Sequence, residues 1–136
     1  MIATVVFLLG MSIASVMDIR TREIPIWFFP ILSIVLLLLS ATGISKTTFI
    51  YSLSGCITLF LFTFTLAKLG SIGGADVLAS GLIGAYFGIP GFYALCAAYI
   101  LCIPQAYIYS KKDNRTYPFI PYMLAGSILI MLVQIL

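Results

Sequence analysis

Histidine is absent from this 136-residue chain, and charge nearly so: seven Lys and Arg and four Asp and Glu make up 8% of residues, against 62% hydrophobic. Without histidine there is no Ser–His or Cys–His nucleophile pair and no HExxH zinc site. The three cysteines, Cys56, Cys96 and Cys102, stand singly in apolar stretches with no CxxC spacing. That argues against a zinc or redox site and reads them as small packing residues. No metal and no cofactor is expected. A soluble domain carries roughly 25% charged residues. With a mean hydropathy of +1.20, a soluble fold of this size could not hide so much apolar surface. The expectation is an integral membrane protein, one domain over residues 1–136. The net charge of +3 rests on few residues and speaks to topology, not to a nucleic-acid partner.

What is present divides into apolar runs and polar breaks. Ile2 to Met17 is the first run. It is short for a span of about 20 residues and lacks the basic start and cleavage site of a signal peptide. As a helix it leaves Asp18 at or slightly below the membrane interface. Arg20 to Pro25 is a polar loop, with Pro25 placed to restart a helix. Ile24 to Ser45 holds the second helix; Pro30 falls in its first turns as a candidate kink, and Trp27, Phe28 and Phe29 fit an interfacial aromatic belt. Thr47 to Ala67 is the third helix, whose Ser54, Thr58 and Thr65 are expected to bond back to their own helix carbonyls. Val77 to Ser110 runs 34 residues without Asp, Glu, Lys or Arg. As one helix it would reach about 50 Å, too long for a hydrocarbon core of about 30 Å. Gly88-Ile89-Pro90-Gly91 divides it into helices of about Asp76 to Gly88 and Phe92 to Tyr109. The former is so short that its Asp76 end should begin within the membrane thickness, where irregular backbone survives only inside protein or along a wet cavity. Thr116 to Leu136 contains the last helix, opened by Pro118-Phe119-Ile120-Pro121.

The fold class expected is all-α: a polytopic membrane protein with six transmembrane helices. The odd-numbered loops then share one side and hold Arg20, Arg22, Lys68, Lys111, Lys112 and Arg115, leaving Lys46 on the other. The positive-inside rule places those loops in the cytoplasm and both termini outside. The glycosylation pattern Asn114-Arg115-Thr116 is thereby discounted. Asp18 and Asp76 fall on the same cytoplasmic side. An ionisable group at the mouth of an apolar segment is costly in lipid and marks a functional-site candidate.

Two carboxylates that share a site cannot easily both ionise, and like-charge repulsion with partial burial leaves the pair one proton. One then acts as general base on a water while the other donates to the carbonyl oxygen of a scissile amide, with no metal or covalent nucleophile. Gly73 and Gly74 would let the loop take unusual dihedrals and a peptide backbone approach closely. A helix N-terminus at Asp76 favours negative charge, and Gly81 with Gly84-x-x-x-Gly88 offers a small-residue packing surface. On the residues alone plainer readings stay open: Asp18 as a solvated carboxylate paired with Arg20 or Arg22, Asp76 as the cap of its own helix, and the Pro118/Pro121 pair as a helix start. A small ion-coupled carrier or proton conductor and a non-catalytic pilus or secretion assembly protein are the competing functional classes.

At these residues the chain resembles the type IV prepilin peptidases, membrane aspartyl proteases of the GxGD kind. The resemblance lies in Asp18-Ile-Arg20-Thr-Arg22-Glu-Ile24-Pro25 at the end of helix 1, Gly73-Gly74-Ala75-Asp76 before a short apolar helix, and Pro118-Phe119-Ile120-Pro121 at the last helix. It implies that Asp18 and Asp76 are the catalytic pair, with Gly73, Gly74, Ala75, Arg20, Arg22, Pro25, Pro118 and Pro121 binding substrate or shaping the site. It implies cleavage of the basic leader from type IV prepilin or pseudopilin precursors, in contact with lipid, at the cytoplasmic side of a bacterial inner membrane that the chain crosses several times. Three positions depart from the pattern: Ala75 replaces a Gly, Leu78 a common Lys whose role is then absent or moved to Lys68, and Ile120 a common Gly. Larger members carry a segment with paired CxxC motifs associated with N-methylation. This chain starts at helix 1, so peptidase activity without methyltransferase activity is expected, as in the short members of tight-adherence pilus systems.

Overall fold

Apolar runs broken by glycine, proline and charge become helices in the computed structural model, which describes residues 1–45, 47–70, 72–110 and 117–136. In chain order they are α1 (Ile2–Arg20), α2 (Phe28–Ala41), α3 (Phe49–Lys68), α4 (Gly74–Phe87), α5 (Gly91–Ser110) and α6 (Ile120–Ile135). No strand occurs among the described residues. α1, α3 and the Gly91–Ile108 part of α5 are long and apolar enough to cross a membrane, while α2, α4 and the last helix are shorter. Lys46, Ser71 and the 111–116 loop, with its Asn114-Arg115-Thr116 pattern, lie outside the described residues.

The helix ends refine the sequence reading. α1 continues past Met17 to Arg20, so Asp18 belongs to its last turn. Arg22 then takes a left-handed backbone (φ 56°), and its N–H donates to the Met17 carbonyl at 3.3 Å. A residue with a β-carbon pays about 1–2 kcal/mol for that conformation. Pro25 does not restart a helix. Its carbonyl accepts the Phe28 N–H at 3.0 Å in a turn, and α2 begins three residues later. Pro30 is the third residue of α2, where the backbone nitrogen has no intrahelical partner to lose, so no kink is imposed. Trp27 is exposed, as a belt residue would be, whereas Phe29 is completely buried in the core. Ser54, Thr58 and Thr65 do bond back to carbonyls of their own helix, at 2.7 to 2.9 Å.

α4 is the axis of the bundle. The other five helices all pack against it and close a ring around it in the order α1, α2, α3, α5, α6 and back to α1. Most of its residues are buried, including Val77, Ala79, Ser80 and Leu82, as a helix apolar on all sides must be. Small residues carry its closest approach, because lipid gives helix association little hydrophobic drive. Gly84 lies on Gly55 of α3, and a β-carbon on either would collide with backbone. Gly88 abuts the Tyr51 ring, and Gly81 meets Phe60 at ordinary contact distance. Hydroxyls add bonds across the ring and to the axis: Thr63 to Ser80, Thr4 to Tyr86 at 2.8 Å, and Ser40 to Ser52 at 3.0 Å.

The Thr4–Tyr86 bond aligns the first turn of α1 with the last turn of α4. From there α1 runs 14 residues to Asp18 and α4 runs 10 to Asp76. At about 1.5 Å per residue, Asp76 sits about 6 Å deeper in the bundle than Asp18.

Gly84→Ala and Gly55→Ala are each expected to lower stability by about 1–3 kcal/mol through overpacking, read as a lower thermal unfolding midpoint in detergent. Gly74→Ala, whose methyl would meet nothing within 4 Å, should leave the midpoint unchanged or slightly higher. Equal midpoints for all three variants would rule out the close-approach account of α3 and α4.

Candidate functional site

At one end of the bundle the end of α1 and the starts of α4 and α6 converge, and each brings one of the sequence motifs. Asp18 accepts the Ile120 N–H through Oδ2 at 3.2 Å. Ile120 is the first residue of α6, and the residue before it, Phe119, offers no capping side chain. The first N–H groups of a helix have no partner within it. Asp18 therefore supplies, from far away in sequence, the cap that the local sequence omits, at the positive end of the α6 dipole. Pro121 follows within the first turn and removes one further donor that would need a partner. The Pro118–Pro121 element is a helix start, and it is the start that receives Asp18.

Asp76 is the third residue of α4, and its Oδ2 accepts the Gly73 N–H at 3.2 Å. The plainer reading, that it caps its own helix, is therefore true. It is not the whole account, because Asp76 and Asp18 line the same cavity of about 380 Å³, together with Arg22, Glu23 and Ile24. A second lobe of about 300 Å³ shares Gly73, Asp76, Tyr117 and Phe119 with the first and adds Tyr99. On the other side of the first turn of α4 lies an apolar cavity of about 370 Å³ lined by Phe29, Phe60, Phe64 and Leu78, which shares Ile24, Gly74 and Ala75 with the aspartate cavity. Burial pushes the Tyr117 phenol up to about 12, and its hydrogen bond to the Cys102 thiol pushes the same way, so Tyr117 stays protonated at neutral pH. Among the described residues no group of three His, Cys, Asp or Glu side chains could hold a metal ion.

The structure brings Asp18, Arg22, Gly73, Gly74, Ala75, Asp76 and Pro118 to the one cavity. Arg20 is exposed at the end of α1, Pro25 lines the apolar cavity, and Pro121 lies outside both. Lys68 stands over the Phe64 ring at 5.0 Å, and Phe64 and Leu78 line the same apolar cavity.

The expected unusual dihedrals at Gly73 and Gly74 are not found. Gly73 is in ordinary extended backbone (φ −74°, ψ 156°), Gly74 is already helical, and among the described residues of this loop the left-handed one is Gly70 (φ 78°). What the missing β-carbons provide is space: nothing lies within 4 Å of a methyl at Gly74, and one at Gly73 would meet Asp76 Oδ2 at 3.2 Å. Ala75 is helical too, so no glycine-only conformation is needed there, and its side chain packs against the core. Tyr99, Tyr117 and Glu23 were not singled out from sequence. Eight tyrosines are spread along the chain, and nothing local marks the two that reach the cavity.

A model of the type IV leader peptidase family matches residues 5–136. A preflagellin peptidase from Methanococcus voltae is 36% identical over 109 residues, which cover 74% of this chain and 46% of that protein. The chain thus spans about half the length of this curated relative. No solved structure matches.

The α6 cap makes a separable prediction. Asp18→Ala should lower stability by about 0.5–2 kcal/mol, whereas Asp18→Asn keeps an acceptor for the Ile120 N–H and should lose less than half of that. Thermal unfolding of the two variants in the same detergent checks it, and equal losses would remove the cap from the account.

Proposed function

Because the chain belongs to the type IV leader peptidase family, we propose that it is a membrane aspartyl endopeptidase in which Asp18 and Asp76 activate water to remove the basic leader of type IV pilin-like precursors. The observation that carries this reading is that two aspartates far apart in sequence line one cavity. Under it, all six helices are membrane-embedded, both termini lie outside, and the aspartate end faces the cytoplasm of a bacterial inner membrane. The odd-numbered polar breaks of the sequence hold six of the seven basic residues, which supports the orientation through the positive-inside rule.

The dyad holds one proton, which belongs to the pair rather than to either residue. The ionised carboxylate takes a proton from water as the water oxygen bonds to the carbonyl carbon of the scissile amide. The protonated carboxyl gives its proton to the carbonyl oxygen, and a neutral gem-diol results. In the second step the carboxyl that took the water proton passes it to the amide nitrogen, and the carbon–nitrogen bond breaks. A gem-diol hydroxyl returns its proton to the other carboxylate. The products are a carboxylic acid and an amine, and the dyad again holds one proton. The amide docks where the shared cavity meets the first turn of α4, beside the space left at Gly74. A basic leader is drawn by Asp18, Glu23 and Asp76, with Arg22 the opposing charge at the same cavity.

The similarity to a preflagellin peptidase favours a second substrate of the same layout, a flagellin-type precursor with a basic leader ahead of an apolar segment. Incubating the protein in native membranes with each precursor separately decides between the two by the size of the product.

Asp18→Asn and Asp76→Asn are each expected to slow processing by about 10²–10⁴-fold, seen as precursor that keeps its full length. Processing at the wild-type rate by either variant would end the dyad reading. The rate of the unmodified protein should also trace a bell against pH. It falls at low pH, where both carboxyls are protonated and no base remains, and at high pH, where both are ionised and no acid remains.

A further inference from the structure

The apolar cavity on the far side of the first turn of α4, about 370 Å³ in volume, has no part in the reaction above. Its lining runs from buried Phe29 and Val77 to Ile26 and Phe64, which are 80% and 42% exposed, so it opens to the surface of the bundle. No polar side chain is among the described residues that line it. It shares Ile24, Gly74 and Ala75 with the aspartate cavity. Gly74 is exposed, and nothing lies within 4 Å of a methyl placed on it, so the way from one cavity to the other is clear. The two cavities are unlike in charge: Asp18, Arg22, Glu23 and Asp76 line one, and no charged side chain is described in the other.

One helical turn separates them. At about 100° per residue, Leu78 lies about 200° around α4 from Asp76, so the same turn gives a carboxylate to one cavity and an apolar side chain to the other. The helix backbone between them is about 5 Å across, and an extended peptide advances about 3.3 Å per residue. A chain that passes over Gly74 with its scissile amide at the dyad therefore carries the side chain two or three residues away to the apolar cavity. Charge sets the direction of that chain. A basic leader belongs beside the carboxylates, and an apolar segment belongs against walls that offer a charge no partner. We propose that the apolar cavity is a substrate subsite, which receives an apolar side chain of the precursor two or three residues beyond the cut and so fixes which amide meets the dyad. The assignment rests on the peptidase reading and adds to it the register of the bound peptide.

Precursors that carry alanine, leucine or phenylalanine at each of these two positions test it with the full chain in native membranes. At one of the two positions the leucine or phenylalanine form should be cut with kcat/KM about 10- to 100-fold above the alanine form. Leu78→Phe narrows the cavity and should lower the phenylalanine-to-leucine ratio of kcat/KM about 10-fold; Phe64→Ala widens it and should raise that ratio. A ratio is not moved by a loss of folded protein or by slower chemistry common to all substrates. Rates within twofold for all three side chains at both positions overturn the assignment, as does a ratio that moves in the stated direction in neither variant. A second arm needs no cleavage. Precursor with a photoreactive diazirine at the preferred position, or at each position in turn, is irradiated with Asp76→Asn protein in native membranes, and the adducts are mapped by mass spectrometry. Adducts on Ile26, Phe64 or Leu78 are expected. Adducts on lipid alone, which would leave the cavity to acyl chains, adducts on other side chains only, or none at all overturn the assignment. Precursor left uncut by the wild-type protein would overturn the peptidase reading instead, and the adducts would then decide the cavity alone.

Discussion

The first backbone N–H groups of a helix have no partner within it and must be answered from outside it. At α4 they open on a cavity, where Gly73 and Gly74 are exposed. α4 has 14 residues within a ring that includes the 19 of α1 and the 20 of α3, and its far end is pinned beside the first turn of α1 by the Thr4–Tyr86 bond. The larger cavities lie at its N-terminus, against one of about 80 Å³ beside Tyr86 and Phe87 at the other end. At the N-terminus Asp76 bonds the Gly73 N–H. The position of the site follows from the length of α4, and that length is set by Gly73 at one end and Gly88 at the other.

α6 meets the same difficulty by a different route. Its N-cap residue has no polar side chain, and its first N–H is answered by Asp18 across the bundle. Two neighbouring helix N-termini thus each take a carboxylate, one local and one tertiary. Because the two helices start at the same end of the bundle, the carboxylates come to line one cavity. The left-handed turn at Arg22 belongs to this arrangement. It reverses the chain directly after Asp18 and brings Arg22, Glu23 and Ile24 back to the cavity wall. Local strain of this kind persists where surrounding contacts over-determine it.

The helix count, the brevity of α4 and the placing of Asp18 and Asp76 towards one side were legible in the sequence, because all three depend on where apolar runs break; that the two helix ends line one cavity was not. The pairing of Asp18 with α6 was not, since an Asp near the end of one helix carries no mark of which distant N–H it will meet. Burial along a helix was misjudged wherever neighbouring residues differ by a rotation. Trp27 and Phe29 are two residues apart, yet one is exposed and the other is in the core. Gly73 and Gly74 were read as conformational necessities when their dihedrals are ordinary, because composition does not distinguish a glycine kept for its φ from one kept for the space around it. Tyr99 was invisible for a related reason: reaching a cavity is a property of the packing around a residue, which the neighbouring sequence does not record.

Capping and the proposed catalysis are compatible accounts of the two aspartates. A carboxylate that bonds a helix N-terminus through one oxygen is held in orientation, and its second oxygen keeps its lone pairs for other work. Both Asp18 and Asp76 give Oδ2 to a backbone N–H, so each reaches the cavity already fixed by the bond it makes to the fold. Acid–base chemistry gains most from groups whose orientation is settled before the reaction begins. The Thr63–Ser80 pair, Ser127 and the hydroxyls of α3 have their bonds made within the bundle. Asp18 and Asp76 differ from these hydroxyls in lining a cavity. Carboxylates oriented by the helices they cap and still facing a cavity are the arrangement that the proposed cleavage of a peptide calls for.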